Sequence, residues 1–288
     1  MEKIEERSWG ISKLITDYFI LKPPKFKDED YEAISKFKNQ LIFIPSGEIY
    51  IPCLFYSHPK SSNFLIHFHG NSEHMFQIEY YGLDFRSHLE MNVIIVEYHG
   101  YSIYDNEKPD PNLIFENACI IYDWIRNTFK VNKEHIFVCG RSLGTSPAIY
   151  LASHREVQSL FLISAFSSIN KIGEDKNIAW LLEDIFKSYN YIKNVNCFTL
   201  LIHGKKDPLI NYKHSQELKE ELEKNNRHIK VKIHLGEEND HNNFYLRNDI
   251  IEPIKQFLGE YNLISNDTFI DIKNEQINKF YMMPTSIF

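Results

Sequence analysis

The sequence predicts an α/β chain built on a doubly wound, mostly parallel sheet that opens with an antiparallel hairpin. Five apolar runs, at residues 64–68, 93–96, 136–139, 160–163 and 198–202, are too continuous for half-exposed strands and suit strands buried on both faces. Helix-length segments separate most of these runs. Two earlier strands, at 41–44 and 49–56, are joined by Pro45-Ser46-Gly47-Glu48, which reads as a hairpin turn.

Taken in order, the clearest helix carries Ile114, Ala118, Ile121, Ile125 and Phe129 at near-helical spacing. Residues 145–153, separated by five residues from the strand at 135–139, are expected to form a helix rich in small residues. The stretch 164–196 has room for only a small cap. Leu218 and Leu222 lie in a charged helix, a strand follows at 229–235, and Ile250, Ile254, Phe257 and Leu258 close the pattern. The expected organisation is an N-terminal extension at 1–40, one domain at 41–260 and a C-terminal tail at 261–288.

Composition narrows the function classes. Of 288 residues, 43% are hydrophobic and 25% charged, which is ordinary for a globular chain. The net charge is −7 and no basic stretch is long enough to track phosphates, so nucleic acid is not an expected partner. No run approaches the ~18 apolar residues of a membrane span, and the charged N-terminus lacks the apolar core of a secretory signal. The four cysteines, Cys53, Cys119, Cys139 and Cys197, contain no CxxC and read as reduced residues of a cytoplasmic protein.

Four motifs fall at strand ends, where function gathers in such sheets. Gly140-Arg141-Ser142-Leu143-Gly144 follows a strand and opens a helix, the context a nucleophile elbow requires. Without that context it would be an ordinary glycine-bounded turn. His67-Phe68-His69-Gly70-Asn71-Ser72 ends an earlier strand and can aim a backbone N–H at a developing charge. The loop donor is assigned to Asn71, with Ser72 as second choice, and its partner to the N–H of Leu143. His67 and His69 are spaced two apart, but no HExxH or Cys/His cluster completes a metal site. Asp207, in His203-Gly204-Lys205-Lys206-Asp207-Pro208, either initiates a turn or reaches a histidine. His241, in Asp240-His241-Asn242, is either that histidine or a solvated loop residue. The chain order Ser142, Asp207, His241 favours a catalytic set of α/β-hydrolase type.

On these blocks, together with Tyr98-His99-Gly100-Tyr101 and Lys22-Pro23-Pro24, the chain resembles the α/β-hydrolase-domain serine hydrolases, over about residues 42–258. Within them it resembles the eukaryotic domain-17 branch of protein depalmitoylases, which are acyl-protein thioesterases. The resemblance implies the α/β-hydrolase fold and serine esterase or thioesterase activity on an acylated lipid or protein, with no metal or organic cofactor. Two departures stand out. The family continues after the YHGY block with small residues, whereas this chain has Ser102, Ile103, Tyr104, Asp105 and Asn106, which are expected to narrow the acyl pocket. The family's N-terminal cysteine cluster is also missing, since no cysteine precedes Cys53.

The expected mechanism uses Ser142 as nucleophile, His241 as general base and Asp207 as its orienting acid, with the Asn71 and Leu143 amides as oxyanion hole. The alternative is a hydrolase-fold subunit with a structural or binding role in a larger cytoskeletal or ciliary assembly. The apolar C-terminal tail, which includes Phe269, Ile277, Phe280 and Phe288, either favours that alternative through protein partners for the tails or folds back over the domain's own surface.

Overall fold

The structure is a computed structural model, and it describes residues 21–24, 34–104, 108–179, 184–225, 228–264, 277–278 and 280–281. Strands β1 (Leu41–Ser46) and β2 (Ile49–Tyr56) form the antiparallel hairpin, with Ser46 opposite Ile49. Gly47 sits in the two-residue turn at φ 63°, the left-handed region that hairpin turns demand and glycine adopts freely.

The remaining strands are β3 (Phe64–Phe68), β4 (Asn92–Val96), β5 (Ile136–Arg141), β6 (Ser159–Ile163), β7 (Phe198–Gly204) and β8 (Val231–Gly236). They complete an eight-stranded sheet in the order β1-β2-β4-β3-β5-β6-β7-β8. β2 pairs antiparallel with β4, and every pairing from β4 to β8 is parallel. β3, β4, β5 and β6 are buried at every position, as their unbroken apolar runs require, while the edge strand β8 alternates half-buried and exposed residues.

Helices α1 (Glu79–Leu89), α2 (Pro111–Phe129), α3 (Thr145–His154), α4 (Ile169–Asp175), α5 (Ser188–Ile192), α6 (Lys213–Asn225) and α7 (Glu252–Glu260) connect and cover the strands. α2 starts where the sequence provides both stop and cap. Asp110 accepts a hydrogen bond from the Asn112 N–H, and Pro111 occupies the first helical position. The sheet separates two apolar layers. One joins Ile66, Val138 and Leu162 to α2, α3 and α6; the other joins Leu65, Phe137 and Phe161 to α1 and α7. Short helices α4 and α5 lie in the connection from β6 to β7, the position of the expected small cap. Among the described residues, no helix is long and apolar enough to cross a membrane.

Parts of both tails pack onto the domain. Leu21, Ile34, Phe37, Leu263, Ile277 and Phe280 are buried in the two layers. The Phe43 N–H donates to the Phe280 carbonyl at 2.8 Å, so the C-terminal segment occupies part of the outer edge of β1. An unpaired edge strand templates association with other chains, and a covered one does not. Phe269 and Phe288 lie outside the described residues. The Phe280 ring meets Trp124 of α2 nearly at right angles, with centroids 5.0 Å apart. Phe280→Ala is therefore expected to cost roughly 1.5–3 kcal/mol in urea unfolding. A loss below about 0.5 kcal/mol would mean that the C-terminal segment is not a working part of the core.

Candidate active site

The site begins with topology. β3 and β5 are neighbours, yet β3 leads on to β4 at one side and β5 to β6 at the other. The connections diverge and leave a crevice at the carboxyl ends of these two strands, the place where open α/β sheets bind ligands. Ser142 stands at that end of β5, opening the 3-10 turn Ser142–Gly144. Its φ of 51° is left-handed, which costs a non-glycine residue energy and marks a position over-determined by its surroundings. Those surroundings are two close approaches. A Cβ on Gly140 would lie 2.3 Å from the Gly144 carbonyl oxygen, and one on Gly144 would lie 2.2 Å from the Phe68 carbonyl oxygen. Glycines at both positions let the turn close on itself and against the end of β3.

A continuous polar line leaves Ser142. His241 Nε2 is 3.0 Å from Ser142 Oγ, and His241 Nδ1 is 2.7 Å from Asp207 Oδ2. The register of β7 and β8 brings this about. Gly204 faces Gly236, so the loops carrying Asp207 and His241 leave the sheet side by side. Asp207 Oδ1 accepts the backbone N–H groups of Leu209 and Ile210, each at 2.8 Å, and His203 Nε2 lies 3.3 Å from Asp207 Oδ2. Burial alone would raise the Asp207 carboxyl. The hydrogen bonds from His203, His241 and the Ile210 N–H outweigh it and hold the group well below the usual carboxylate range. An ionised Asp207 fixes the proton of His241 on Nδ1 and leaves Nε2 free to accept from the Ser142 hydroxyl. Such an arrangement can activate a serine for attack on an acyl carbon.

The loop after β3 faces the elbow. Beyond Phe68, the His69 carbonyl oxygen would also clash with a Gly144 Cβ, at 2.6 Å, so this loop lies directly over the turn carrying Leu143. The Asn71 side chain is held by two donors, the Tyr101 hydroxyl at 2.9 Å and the Lys22 backbone N–H at 3.1 Å. His69 is fixed as well, with Nδ1 2.7 Å from the Gly70 carbonyl and Nε2 3.0 Å from Glu97 Oε1. Glu97 in turn accepts the N–H groups of Met75 and Tyr98 and the Ser102 hydroxyl. His67 goes elsewhere. It stacks on Tyr81 and meets the edge of Phe85, and burial, then His69 and Arg141, push its pKa down to about 3. The two histidines thus serve different partners, and no group of three His, Cys, Asp or Glu able to hold a metal occurs among the described residues.

The bulky residues after Tyr101 are tied down. Ser102 donates to Glu97, Ile103 is buried in the layer with Phe137, and the Tyr104 hydroxyl accepts from Asn117 of α2 at 2.8 Å. Asp105 and Asn106 lie outside the described residues.

Sequence reasoning missed several residues of the site. Arg141 reaches Glu73 at 2.7 Å, the His241 carbonyl at 3.0 Å and Asn242 Oδ1 at 2.9 Å. His203 supports Asp207, and its Nδ1 lies 2.7 Å from Ser215 Oγ. The one available signal was a charged residue or histidine placed at the end of a buried apolar run. A second Ser-His-Asp line also exists: Ser167 Oγ is 2.7 Å from His214 Nδ1, and His214 Nε2 is 3.2 Å from Asp175 Oδ2. It differs in three respects. Its ring nitrogens are reversed, Ser167 is fully buried where Ser142 keeps 7% exposure, and Ser167 is not among the residues with positive φ.

Comparison with known proteins agrees with the fold. Residues 98–260 match the phospholipase/carboxylesterase family model. The α/β-hydrolase domain-containing protein aho-3 of Caenorhabditis elegans is 31% identical over 164 residues, which are 56% of this chain and 48% of that protein. Human α/β-hydrolase domain-containing protein 17B is 25% identical over 213 residues, 73% of this chain and 71% of that one. The chain therefore spans about half the length of the first of these relatives and more of the second. Among solved structures, a Pyrococcus furiosus esterase, Pf2001, superposes with a TM-score of 0.65 at 16% identity, covering 84% of this chain and 99% of its own. Est1E from Butyrivibrio proteoclasticus gives 0.59 at 15% identity over 77% and 98%. At such identities the likeness is one of fold. With more than half its length matched by the family model, and with the sheet and elbow described above, this chain belongs to the phospholipase/carboxylesterase family of α/β hydrolases.

Proposed function

We propose that the protein is a serine hydrolase that cleaves acyl esters or thioesters through an acyl-enzyme. The observation that carries this reading is the unbroken line from Asp207 through His241 to the strained Ser142 at the strand-end crevice. Ser142 Oγ attacks the acyl carbon while His241 Nε2 takes its proton. The same nitrogen then returns a proton to the departing alcohol or thiol, and water attacks the acyl-enzyme in a second round of the same chemistry. Asp207 holds the imidazole and stabilises the imidazolium. The backbone N–H groups of Asn71 and Leu143 are assigned to the oxyanion, supported by the close packing of their two loops at Gly144.

The small cap formed by α4 and α5 suits an acyl chain carried on a larger molecule. Together with the resemblance to the domain-17 branch, this favours S-acylated proteins as the substrate class, acted on without a cofactor. Hydrolysis of p-nitrophenyl and thioester substrates of increasing acyl length tests the reading. Ser142→Ala is expected to lower kcat/KM by about 10³-fold or more with the fold intact. A variant as active as the wild type would remove Ser142 from the mechanism.

The ionised Asp207 also predicts a pH dependence of stability. A carboxyl held below its unfolded value stabilises the fold above about pH 4, and this contribution is lost as the pH falls toward the folded value. Asp207→Asn has no such titration. The stability gap between wild type and this variant, measured by urea unfolding, is therefore expected to shrink from about pH 6 to about pH 3. A gap constant over that range would show that the folded protein does not favour the ionised form.

A further inference from the structure

The proposed chemistry needs parts from separate loops: the oxyanion loop after β3, the elbow after β5 and the base-bearing loop after β8. Strand pairing fixes where each loop leaves the sheet, but not how the loops are held to one another above it. Arg141, the residue before Ser142, touches both of the other loops. Its Nη1 donates to Glu73 Oε1 at 2.7 Å, and Glu73 Oε2 accepts the Gly70 N–H at 2.8 Å. Its Nη2 donates to the His241 carbonyl at 3.0 Å and to Asn242 Oδ1 at 2.9 Å. The guanidinium is nearly buried, with the side chain 11% exposed, and Gly70 makes room for it: a Cβ there would lie 2.8 Å from Nη1.

We propose that Arg141, backed by Glu73, is a positioning residue that sets the Ser142–His241 distance and the placement of the oxyanion loop together. This rests on the serine hydrolase reading given above. A buried ion pair is seldom a net source of stability, because desolvating both charges offsets their attraction. A planar fork aimed at acceptors on two loops is suited to fixing geometry instead, and an ammonium cannot imitate it. Misplacement of reacting groups by about 1 Å can cost about a hundredfold in rate.

Arg141→Lys keeps the charge opposite Glu73 but cannot span both loops, and Glu73→Gln, at the rim of the site, keeps the packing if the lysine variant does not fold. The expected result for Arg141→Lys is a kcat about ten- to a hundredfold lower, with KM changed far less and little change in thermal midpoint. Glu73→Gln is expected to lower kcat in the same direction by a smaller factor, and the double variant to fall short of the product of the two losses. A readout independent of turnover is the low-field NMR signal of the His241 Nδ1 proton, expected to broaden or move in either variant. Wild-type kcat and an unchanged signal in the variants would overturn the proposal. A wild type inactive on every ester and thioester would overturn the serine hydrolase reading, and the NMR signal alone would then decide whether Arg141 sets the His241 geometry.

Discussion

At the carboxyl end of β5 the chain passes so close to itself and to β3 that positions 140 and 144 have no space for a side chain. The nearest backbone atoms would lie 2.3 and 2.2 Å from an added Cβ. The placement of Ser142 depends on this close approach. Of the three residues between the glycines, Ser142 takes a left-handed conformation held by the surrounding packing, and the loop after β3 lies across the turn. The rest of the fold supplies the rigidity. β3 and β5, buried at every residue, form the stiff floor against which the strain is held.

Electrostatics completes what packing starts. Asp207 has no exposed side-chain surface, an unfavourable place for a carboxylate unless its oxygens are satisfied. Two backbone N–H groups and two imidazoles satisfy them, and that surplus of donors outweighs burial. The second Ser-His-Asp line is an instructive contrast. The Ser167 N–H points at His214 Nδ1 from 3.4 Å, so that nitrogen is the acceptor and the proton sits on Nε2, toward Asp175. Burial depresses the His214 pKa, partly opposed by Asp175, whose carboxylate is about half exposed. The residue types match those of the Ser142 line, but Ser167 is fully buried and is not among the residues with positive φ, and its network reads as a tie between the cap and α6.

Much of this was legible in the sequence, for reasons that are physical. Strands buried on both faces leave continuous apolar runs, so β3 to β7 fall at or within a few residues of the expected positions. The GxSxG spacing is visible because two glycines are required by contact, and Asp207 and His241 are visible because each closes a strand end in the right chain order. What could not be read are contacts made across the fold. Arg141 looks like a surface charge until β3, β5 and β8 place Glu73, His241 and Asn242 around it. His203 and Glu97 look like ordinary residues at strand ends, and their roles depend on which loops the sheet order β4-β3-β5 brings together. The apolar character of the C-terminal segment fits either an external partner or a tail folded back over the domain; where it is described, Ile277 and Phe280 are buried against this chain's own core.

The central claim is that Ser142, and no other serine, is activated. Treatment with an excess of a fluorophosphonate, followed by intact-mass measurement and peptide mapping, tests it most directly, because the reagent reports both stoichiometry and position. The account predicts one adduct per chain, carried on the peptide containing Ser142 and absent once the protein is unfolded in acid. Modification of Ser167, or adducts spread over several serines at comparable rates, would contradict it.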